Sequence, residues 1–454
     1  MRATRIVPTY GEKFRCVGSA CEDTCCKGWS VPIDEAAYER YQGLAVGGLR
    51  SLLDASVLRK PDGGKGAKPQ PFATIRMDGM NQCPLLSGER LCRVQTELGE
   101  GFLSHACATY PRIVHFVGNM NETALTLSCP EAARLVLLNP QPDLSASAGG
   151  IGEGHSHTEI EAEAAGVEIP APAFFWQIRD TVVMLVRNRS YALWQRLFLL
   201  GVFCRRLDSI ARGGLKRSVP DFLGDFEAAV GIGALRRAME TLPSDGMAQL
   251  DVVLRLAGML LHRSNISPRF LECVNAFTVG IGNGPGVTLE SLAAHYALAH
   301  DRSYAPYFAR NPHVLENYLL NTIFRCRFPF GREGMAGDKP ACMTREFALL
   351  TAQFALVRGL LIGVAGFHRE QFSAAHVVHT VQTAAKHFEH HPEFLNEAYA
   401  LLVESGMDGA RGLAILTRNV ESRAADGEES HRKRMRQVYK EDCRVDDGLQ
   451  PAPR

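Results

Sequence analysis

The sequence has almost no net charge, because 50 lysines and arginines balance 49 aspartates and glutamates and leave a formal charge of +1. The net charge therefore gives the protein no long-range electrostatic attraction to nucleic acid or to an anionic membrane surface, and we expect neither as a partner. The N-terminal stretch MRATRIVPTYGEKF also lacks the apolar run of a secretory signal. We therefore expect a cytoplasmic protein, in which cysteine thiols stay reduced.

An uninterrupted apolar segment long enough to cross a membrane is also lacking. The most apolar stretch, Phe347–Phe367, is broken by Gln353, Arg358 and three glycines. Such a composition predicts a buried core helix better than a membrane span.

Cysteine pairs of the C-x2-C type are absent, although the chain contains 13 cysteines. Structural zinc sites usually draw their ligands from such pairs, so a zinc ribbon or finger is disfavoured. The C-x3-C-x2-C pattern of radical S-adenosylmethionine enzymes begins at Cys21 and Cys25 but fails at Gly28. What the sequence does have is a concentration of eight cysteines near its start, which are Cys16, Cys21, Cys25, Cys26, Cys83, Cys92, Cys107 and Cys129.

These eight cysteines are the candidate metal ligands. The loop-rich segment around them has little other core, so clustered thiols are poorly explained by packing alone. We expect an iron–sulfur cluster, with a zinc or iron site as the alternative, whose ligands come from several loops. Four thiolates satisfy one cubane cluster, so eight imply either two sites or some residues that only support or pack.

The fold class predicted is mainly α, with a loop-rich cysteine-cluster module followed by a larger all-helical domain. We place the module at residues 1–138, a linker or mobile loop at 139–169, the helical domain at 170–418 and a charged, fraying tail at 419–454. Apolar residues at steps of three and four predict the helices. The stretches with this pattern include 190–214, Asp251–Leu261, Val314–Phe324, Phe347–Ile362, Ala374–Phe388 and Phe394–Glu404.

Local signals refine this picture at three places. Asp34 is a predicted helix cap, and Ser190 stands in a capping position before the first long helix, which Gly213 and Gly214 would end. The glycine-rich stretch Phe277–Val287 follows a helical pattern and contains Pro285, so we interpret it as a helix–helix loop and not as a donor-binding turn.

The sequence resembles the flagellin lysine-N-methylases, a branch of a bacterial cysteine-cluster family often described as zinc- or iron-chelating. The resemblance rests on the eight cysteines and on motifs in both halves of the chain. These motifs are CPLL (Cys83–Leu86), LCRVQTELGE (Leu91–Glu100), LSHACATYPR (Leu103–Arg112), LSCPEAARL (Leu127–Leu135) and YAPYFARNPHVLENYLLNTIFRCRFPFG (Tyr304–Gly331).

The resemblance implies an enzyme that transfers methyl groups from S-adenosylmethionine to lysine ε-amino groups of flagellin, with a [4Fe-4S] cluster held by the cysteines. A non-catalytic metal-chelating or iron–sulfur carrier protein is the alternative. A lysine amine has a pKa near 10.4 and must lose its proton before it attacks a methyl group. Tyr110, Glu316 and Tyr318 are candidates to accept or stabilise that proton.

Overall fold

A computed structural model describes residues 5–60, 71–117, 120–141, 144–147, 174–215, 217–263, 265–331 and 342–418. The predicted charged tail and most of the predicted linker lie outside these residues. Within the predicted linker the described residues are 139–141 and 144–147, and residues 144–147 form a strand that pairs with the strand at residues 5–8.

The N-terminal part is built from short elements. Its helices are α1 (Tyr10–Lys13), α2 (Glu35–Gln42), α3 (Gly48–Ser56), α4 (Arg93–Leu98), α5 (His105–Thr109) and α6 (Pro130–Leu137). Its strands are β1 (Arg5–Pro8), β2 (Pro32–Ile33), β3 (Val57–Arg59), β4 (Ala73–Ile75), β5 (Arg112–Val117), β6 (Met120–Leu125) and β7 (Leu144–Ser147). They pair antiparallel in three small sheets, ordered β1-β7, β2-β4-β3 and β5-β6.

The described residues from Phe174 onward are helical and contain no strand. The helices are α7 (Phe175–Arg187), α8 (Leu193–Ala211), α9 (Val219–Gly231), α10 (Arg236–Glu240), α11 (Gly246–Leu261), α12 (Pro268–Gly280), α13 (Leu289–Ala299), α14 (Ala305–Arg310), α15 (His313–Arg325), α16 (Met343–His368), α17 (Ala374–Phe388), α18 (Pro392–Glu404) and α19 (Ala410–Thr417). The predicted fold class, mainly α with a loop-rich first part, is confirmed.

Helix starts follow the capping chemistry of the sequence in one of the two predicted cases. Asp34 precedes α2, and its carboxylate accepts a hydrogen bond of 2.8 Å from the Ala37 N–H. The prediction for Ser190 is wrong, because α8 begins at Leu193 after Ala192. The Ser190 hydroxyl instead donates to the Asn188 side chain at 2.6 Å.

Apolar side chains form two cores of different size. The smaller core extends from Val31 to Leu103 and is built on α2, α3 and the β2-β4-β3 sheet. The larger core contains the helical domain, and Tyr10, Phe14 and residues of β6 and α6 also pack into it. Packing therefore crosses the predicted module boundary at residue 138.

A polar contact inside the larger core fixes this arrangement. The Tyr10 hydroxyl donates to the Asn321 side chain of α15 at 2.7 Å, and the Asn321 amide donates to the Leu125 carbonyl at 2.7 Å. The Leu125 N–H donates back to Asn321 at 3.1 Å. A buried amide with its donors and acceptors satisfied holds β6 in one register against the helical domain.

Helix α16 is the centre of the helical domain. With the short turn that follows it, it is long and apolar enough by length and composition to cross a membrane, yet its most apolar window is entirely buried. The prediction of a core helix is therefore confirmed. Gly280 at the end of α12 lies against this helix so closely that an added Cβ would stand 1.8 Å from the Gly363 carbonyl oxygen. The stretch after Gly280 is the predicted helix–helix loop, since α13 begins only at Leu289.

Candidate metal centre and adjoining cleft

Backbone hydrogen bonds bring the first cysteine loop against the loop of Cys83. The Cys83 N–H donates to the Cys26 carbonyl at 2.8 Å, and the Gly28 N–H donates to the Asn81 carbonyl at 3.0 Å. A single β-bridge between Lys27 and Gln82 lies between these two bonds. Cysteines that are 57 positions apart in the sequence therefore share one short antiparallel contact.

Cys26, Cys83, Cys92 and Cys107 form what we call the inner thiol set. Each of these thiols interacts electrostatically with the other three. Burial is the main cause that raises the pKa of Cys83 to about 12 and that of Cys107 to about 11, and it also raises the pKa of Cys92. All four contact the smaller core.

Cys16, Cys21 and Cys129 form a second group, the outer thiol set, in which every thiol interacts electrostatically with the other two. Cys16 is exposed, whereas Cys129 is buried at the start of α6. Burial raises the pKa of Cys129 to about 11.

Cys25 lies between the two sets. Its thiol interacts with Cys16 of the outer set and with Cys26 and Cys107 of the inner set. A hydrogen bond shared with Cys25 lowers the pKa of Cys26 to about 7 and raises the pKa of Cys25. Cys26 is therefore the thiol of the pair that ionises first.

Backbone N–H groups are directed at several sulfur atoms. Cys92 and Cys129 occupy the N-cap positions of α4 and α6. The backbone N–H groups of Val94 and Gln95 lower the pKa of Cys92, and that of Leu85 lowers the pKa of Cys83, in each case against the larger effect of burial. Such donors stabilise the thiolate, which is the form of cysteine that binds metals.

The thiols of each set lie near one another, but they do not surround one common position. Within the described residues, no three His, Cys, Asp or Glu side chains form a group close enough to hold a metal ion. Four sulfurs around one zinc ion would be only about 3.8 Å apart, as tetrahedral Zn–S bonds of about 2.3 Å require. The sets therefore have the donor chemistry of a metal centre but a wider spacing than one ion demands.

An ion pair ties the cysteine loop to the helical domain. Lys386 of α17 reaches Asp23, between Cys21 and Cys25, with an Nζ–Oδ1 distance of 2.7 Å, and both side chains are only 9% exposed. The Gln382 amide donates to the other oxygen of Asp23 at 2.8 Å. Helix α17 thus holds the loop that carries half of the candidate ligands.

A layer of aromatic and polar side chains lies beside Cys25 and Cys129. The Tyr110 hydroxyl shares a hydrogen bond of 3.1 Å with Ser128, whose hydroxyl is 2.8 Å from His390 Nε2. Trp29 stacks on Tyr110 and on His390, with ring centroids 5.9 and 5.4 Å apart. Burial, and then the nearby Cys129 thiol, raise the pKa of Tyr110 well above its ordinary value.

The three residues predicted as candidates for proton transfer, Tyr110, Glu316 and Tyr318, lie in different surroundings. Tyr110 interacts electrostatically with Cys25 and Cys129. Glu316 is 2% exposed and forms ion pairs with Arg189 at 3.0 Å and Arg196 at 2.7 Å, which occupy its carboxylate. Tyr318 is 1% exposed, and burial raises its pKa. Glu316 and Tyr318 are thus packed inside the helical domain, which favours a structural role for both.

A cleft of about 760 Å³ opens where the cysteine loop meets the helical domain. One wall is the chain from Glu22 to Gly28, and the other includes residues 265–269 and the end of α17. Its charged lining residues are Glu22, Asp23, Lys27, Arg90, Arg269 and Lys386. Four basic and two acidic side chains give the cleft a net positive lining.

Sequence reasoning missed Trp29, Lys386 and His390 as parts of this region. Trp29 lies three residues after the adjacent cysteines, and this proximity was the available signal. Lys386 and His390 lie some 360 residues away from that loop in the sequence, and an amphipathic helix pattern gives no sign of which lysine is buried.

The fold and the two thiol sets define a mainly helical protein that brings separated cysteines together in its loop-rich N-terminal part. The family model described as the FliB lysine N-methylase C-terminal domain matches residues 179–416, more than half of the chain. The chain belongs to the FliB lysine N-methylase family.

Relatives of known name match a shorter stretch. Flagellar biosynthetic protein FliU of Salmonella muenchen is 35% identical over 135 residues, which are 29% of this chain and 76% of that protein. Proteins named lysine-N-methylase from Salmonella typhimurium and Salmonella choleraesuis are also 35% identical over 135 residues, but the match covers 32% of each. No solved structure matches the chain.

Proposed function

We propose that this protein is an S-adenosylmethionine-dependent protein-lysine N-methyltransferase that acts on flagellin. The observation that carries the proposal is the match of residues 179–416 to a lysine N-methylase domain. The names of the relatives, a flagellar biosynthetic protein and two lysine-N-methylases, support a flagellar substrate. The proposed place of the reaction is the cytoplasm, where the thiols stay reduced.

The inner thiol set would hold an iron–sulfur cluster of the [4Fe-4S] type. One buried and three partly buried cysteines, all packed at the smaller core, offer the four sulfur ligands that such a cluster needs. One zinc ion held by the same cysteines is the alternative. When bound, the cluster would cross-link four separated chain segments and place a localised charge beside the cleft. Sulfonium chemistry needs no metal, so we rank this structural and positioning role above a redox role.

In the proposed reaction the lysine nitrogen forms a bond to the methyl carbon while the carbon–sulfur bond of the donor breaks. S-adenosylhomocysteine leaves, and the ammonium product gives up one proton to a base or to water. The chain must therefore align donor and amine and exclude excess water. The cleft has the size typical of a cofactor-binding pocket, and its basic lining suits the carboxylate of the donor.

The first experiment combines anaerobically purified protein, flagellin and S-adenosylmethionine and follows the flagellin by intact-mass and peptide mass spectrometry. We expect a gain of one methyl mass per modification, located on lysines. Cluster-loaded protein that leaves every lysine of flagellin unmodified would overturn the proposed activity and favour the metal-carrier alternative.

A second experiment identifies the metal. Iron, sulfide and zinc are measured in the intact protein and in two variants, Cys83→Ser and Cys204→Ser. We expect broad visible absorbance with iron and sulfide, a loss of most iron in Cys83→Ser, and unchanged iron in Cys204→Ser, whose thiol is fully buried in the larger core. Colourless protein with stoichiometric zinc, or equal iron in both variants, would contradict the assignment.

A further inference from the structure

The two carboxylates that line the cleft already have partners. Both oxygens of Glu22 accept hydrogen bonds from Arg134, at 3.0 and 2.9 Å. Asp23 forms its ion pair with Lys386, and the Gln382 amide donates to its other oxygen at 2.8 Å. Both carboxylates are therefore taken up by these contacts.

Two basic side chains of the same cleft have no acidic partner. In the part of the chain that the structure describes, the Lys27 ammonium forms no ion pair and no hydrogen bond. Arg90 donates to the Cys21 carbonyl and also forms no ion pair with a described residue. A third basic residue, Arg269, lies 3.8 Å from Glu22, and its buried Nε has no hydrogen-bond partner among the described residues. The cleft thus carries at least two positive charges that no described carboxylate balances, and it should attract an anionic group.

An unusual backbone conformation holds Arg90 in the wall of the cleft. Arg90 has a φ of +63°, in the left-handed region that residues with a side chain seldom adopt. Its N–H donates to the Ser87 carbonyl at 3.0 Å, and the Ser87 N–H donates to the Leu91 carbonyl at 2.8 Å. Gly28 and Asn81, which also line the cleft, have φ values of +91° and +57°. Two of these three left-handed residues are not glycine, and strain of this kind is concentrated at ligand-binding and active sites.

The chemistry of Arg90 and Lys27 suits a carboxylate. A guanidinium presents N–H donors in a planar fork that matches the two oxygens of a carboxylate, and a lysine ammonium adds a compact positive charge. Arg90 uses one nitrogen for the Cys21 carbonyl, so its other nitrogens remain for a ligand. Phosphate would also fit such donors, but neither S-adenosylmethionine nor a lysine peptide contains a phosphate. The cleft volume of about 760 Å³ admits a small molecule or the side chains of a peptide.

We propose that Arg90 and Lys27 bind a carboxylate of a reactant in this cleft. The proposed reaction offers two sources, which are the carboxylate of S-adenosylmethionine and an acidic side chain next to the target lysine. The inference rests on the proposed function for the identity of the reactant, and it names the residues that bind it.

The test compares ligands that differ only in one carboxylate. S-adenosylmethionine is paired with its decarboxylated form, and a short peptide with glutamate beside its lysine is paired with the same peptide carrying glutamine. Binding is measured by calorimetry in the unaltered protein, in Lys27→Met, in Arg90→Met and in the double variant. Arg255→Met is the control, because Arg255 lines a different groove. Iron content is measured in every variant, since Arg90 also contacts the loop of Cys21.

We expect the unaltered protein and Arg255→Met to bind one carboxylate ligand at least about tenfold more tightly than its partner, as charge-assisted hydrogen bonds provide. This preference should fall at least about threefold in Lys27→Met and to about one in the double variant. Lys27→Met removes no side-chain contact within the described residues, so it decides the test alone if Arg90→Met loses iron. A change confined to the donor pair assigns the site to the donor, and a change confined to the peptide pair assigns it to the acidic neighbour of the lysine. No preference in the unaltered protein, or an unchanged preference for both pairs in Lys27→Met and the double variant, overturns the inference.

Flagellin methylation by the unaltered protein, measured in parallel, separates this inference from the proposed function. Methylation together with an unchanged carboxylate preference in the variants refutes the role of Arg90 and Lys27 alone. A carboxylate preference that the variants lose, without any methylation by the unaltered protein, supports the carboxylate site and refutes the methyltransferase.

Discussion

The contact between Lys386 and Asp23 is the most direct test of how the helical domain positions the cysteine loop. The two charged groups are 2.7 Å apart and 9% exposed, and the Lys386 ammonium also lies 3.4 Å from the Thr24 carbonyl. Lys386→Met keeps the length of the side chain and removes its charge. The change leaves Asp23 with one remaining side-chain partner, the Gln382 amide at 2.8 Å.

Breaking a buried ion pair by removing one partner costs about 3–5 kcal/mol of the free energy of unfolding. Because Gln382 still donates to Asp23 and a little water reaches both groups, we expect about 3 kcal/mol for Lys386→Met. Asp23→Asn should cost a similar amount. The double variant should be more stable than the sum of the two losses predicts by about 1–2 kcal/mol, because neither charge is then left alone.

The assay is urea unfolding of metal-free protein, followed by circular dichroism, so that bound metal does not mask the loss. Arg255→Met is the control, because Arg255 and Glu404 form an ion pair whose side chains are 39% and 71% exposed. Exposed pairs contribute about 0–1 kcal/mol. If Lys386→Met lies within 1 kcal/mol of this control, or if the two losses simply add, the argument that α17 holds the loop is refuted.

Three further changes test the core and its pH response. Glu122→Gln should cost about 3–5 kcal/mol in urea unfolding, because Arg179, which is 1% exposed and 2.8 Å from Glu122, would keep a buried charge without its partner. Gly280→Ala should lower the melting temperature and cost at least about 1–3 kcal/mol, because its Cβ would meet the Gly363 backbone. Burial lowers the pKa of His387 to about 4. As the pH falls, the unfolded chain therefore binds a proton at this histidine before the folded protein does. The free energy of unfolding should fall by up to about 3 kcal/mol between pH 6.5 and pH 4, and His387→Gln should remove this pH dependence.

Matched variants separate these effects from general damage. Gly258→Ala lies in α11, where an added Cβ meets nothing within 4 Å, and should be neutral or stabilising by up to about 1 kcal/mol. His262→Gln replaces an exposed histidine and should leave the acid slope unchanged. Gly280→Ala that behaves like Gly258→Ala, or His387→Gln that keeps the slope, would contradict the packing or the protonation argument. Glu122→Gln within 1 kcal/mol of the unaltered protein would mean that the buried pair is dispensable.

The helices of the second part were predictable because apolar periodicity reports burial directly. In α8 the residues that recur at steps of three and four and are buried are Leu197, Leu200, Phe203, Leu207 and Ile210. Helix α16 is the core helix that its composition indicates. The start of α8 was not predictable to the residue, because Ser190 has a local partner in Asn188 that competes with a capping role. The pairing of β1 with β7 joins residues about 140 positions apart, and no local pattern encodes such a contact.

The candidate site was predictable as a list of residues but not as an arrangement. Spacing alone could not divide eight cysteines into sets, because the division depends on which loop meets which. Cys25 and Cys26 illustrate the difficulty: they are adjacent in the sequence, yet Cys26 belongs to the inner set while Cys25 also reaches Cys16. Glu316 had a plausible residue type for proton transfer, and only its two arginine partners reveal a structural role.

The two thiol sets belong to different parts of the packing, and this has a physical consequence. The inner set contacts only the smaller core, so a group bound there would stabilise chiefly the cysteine module. The outer set combines Cys129, which is part of the larger core, with Cys16 and Cys21 on the N-terminal loop. Anything bound by the outer set would therefore link that loop to the helical domain, as the Lys386–Asp23 pair does. Cys25 interacts with thiols of both sets and is therefore the residue at which the two sets adjoin.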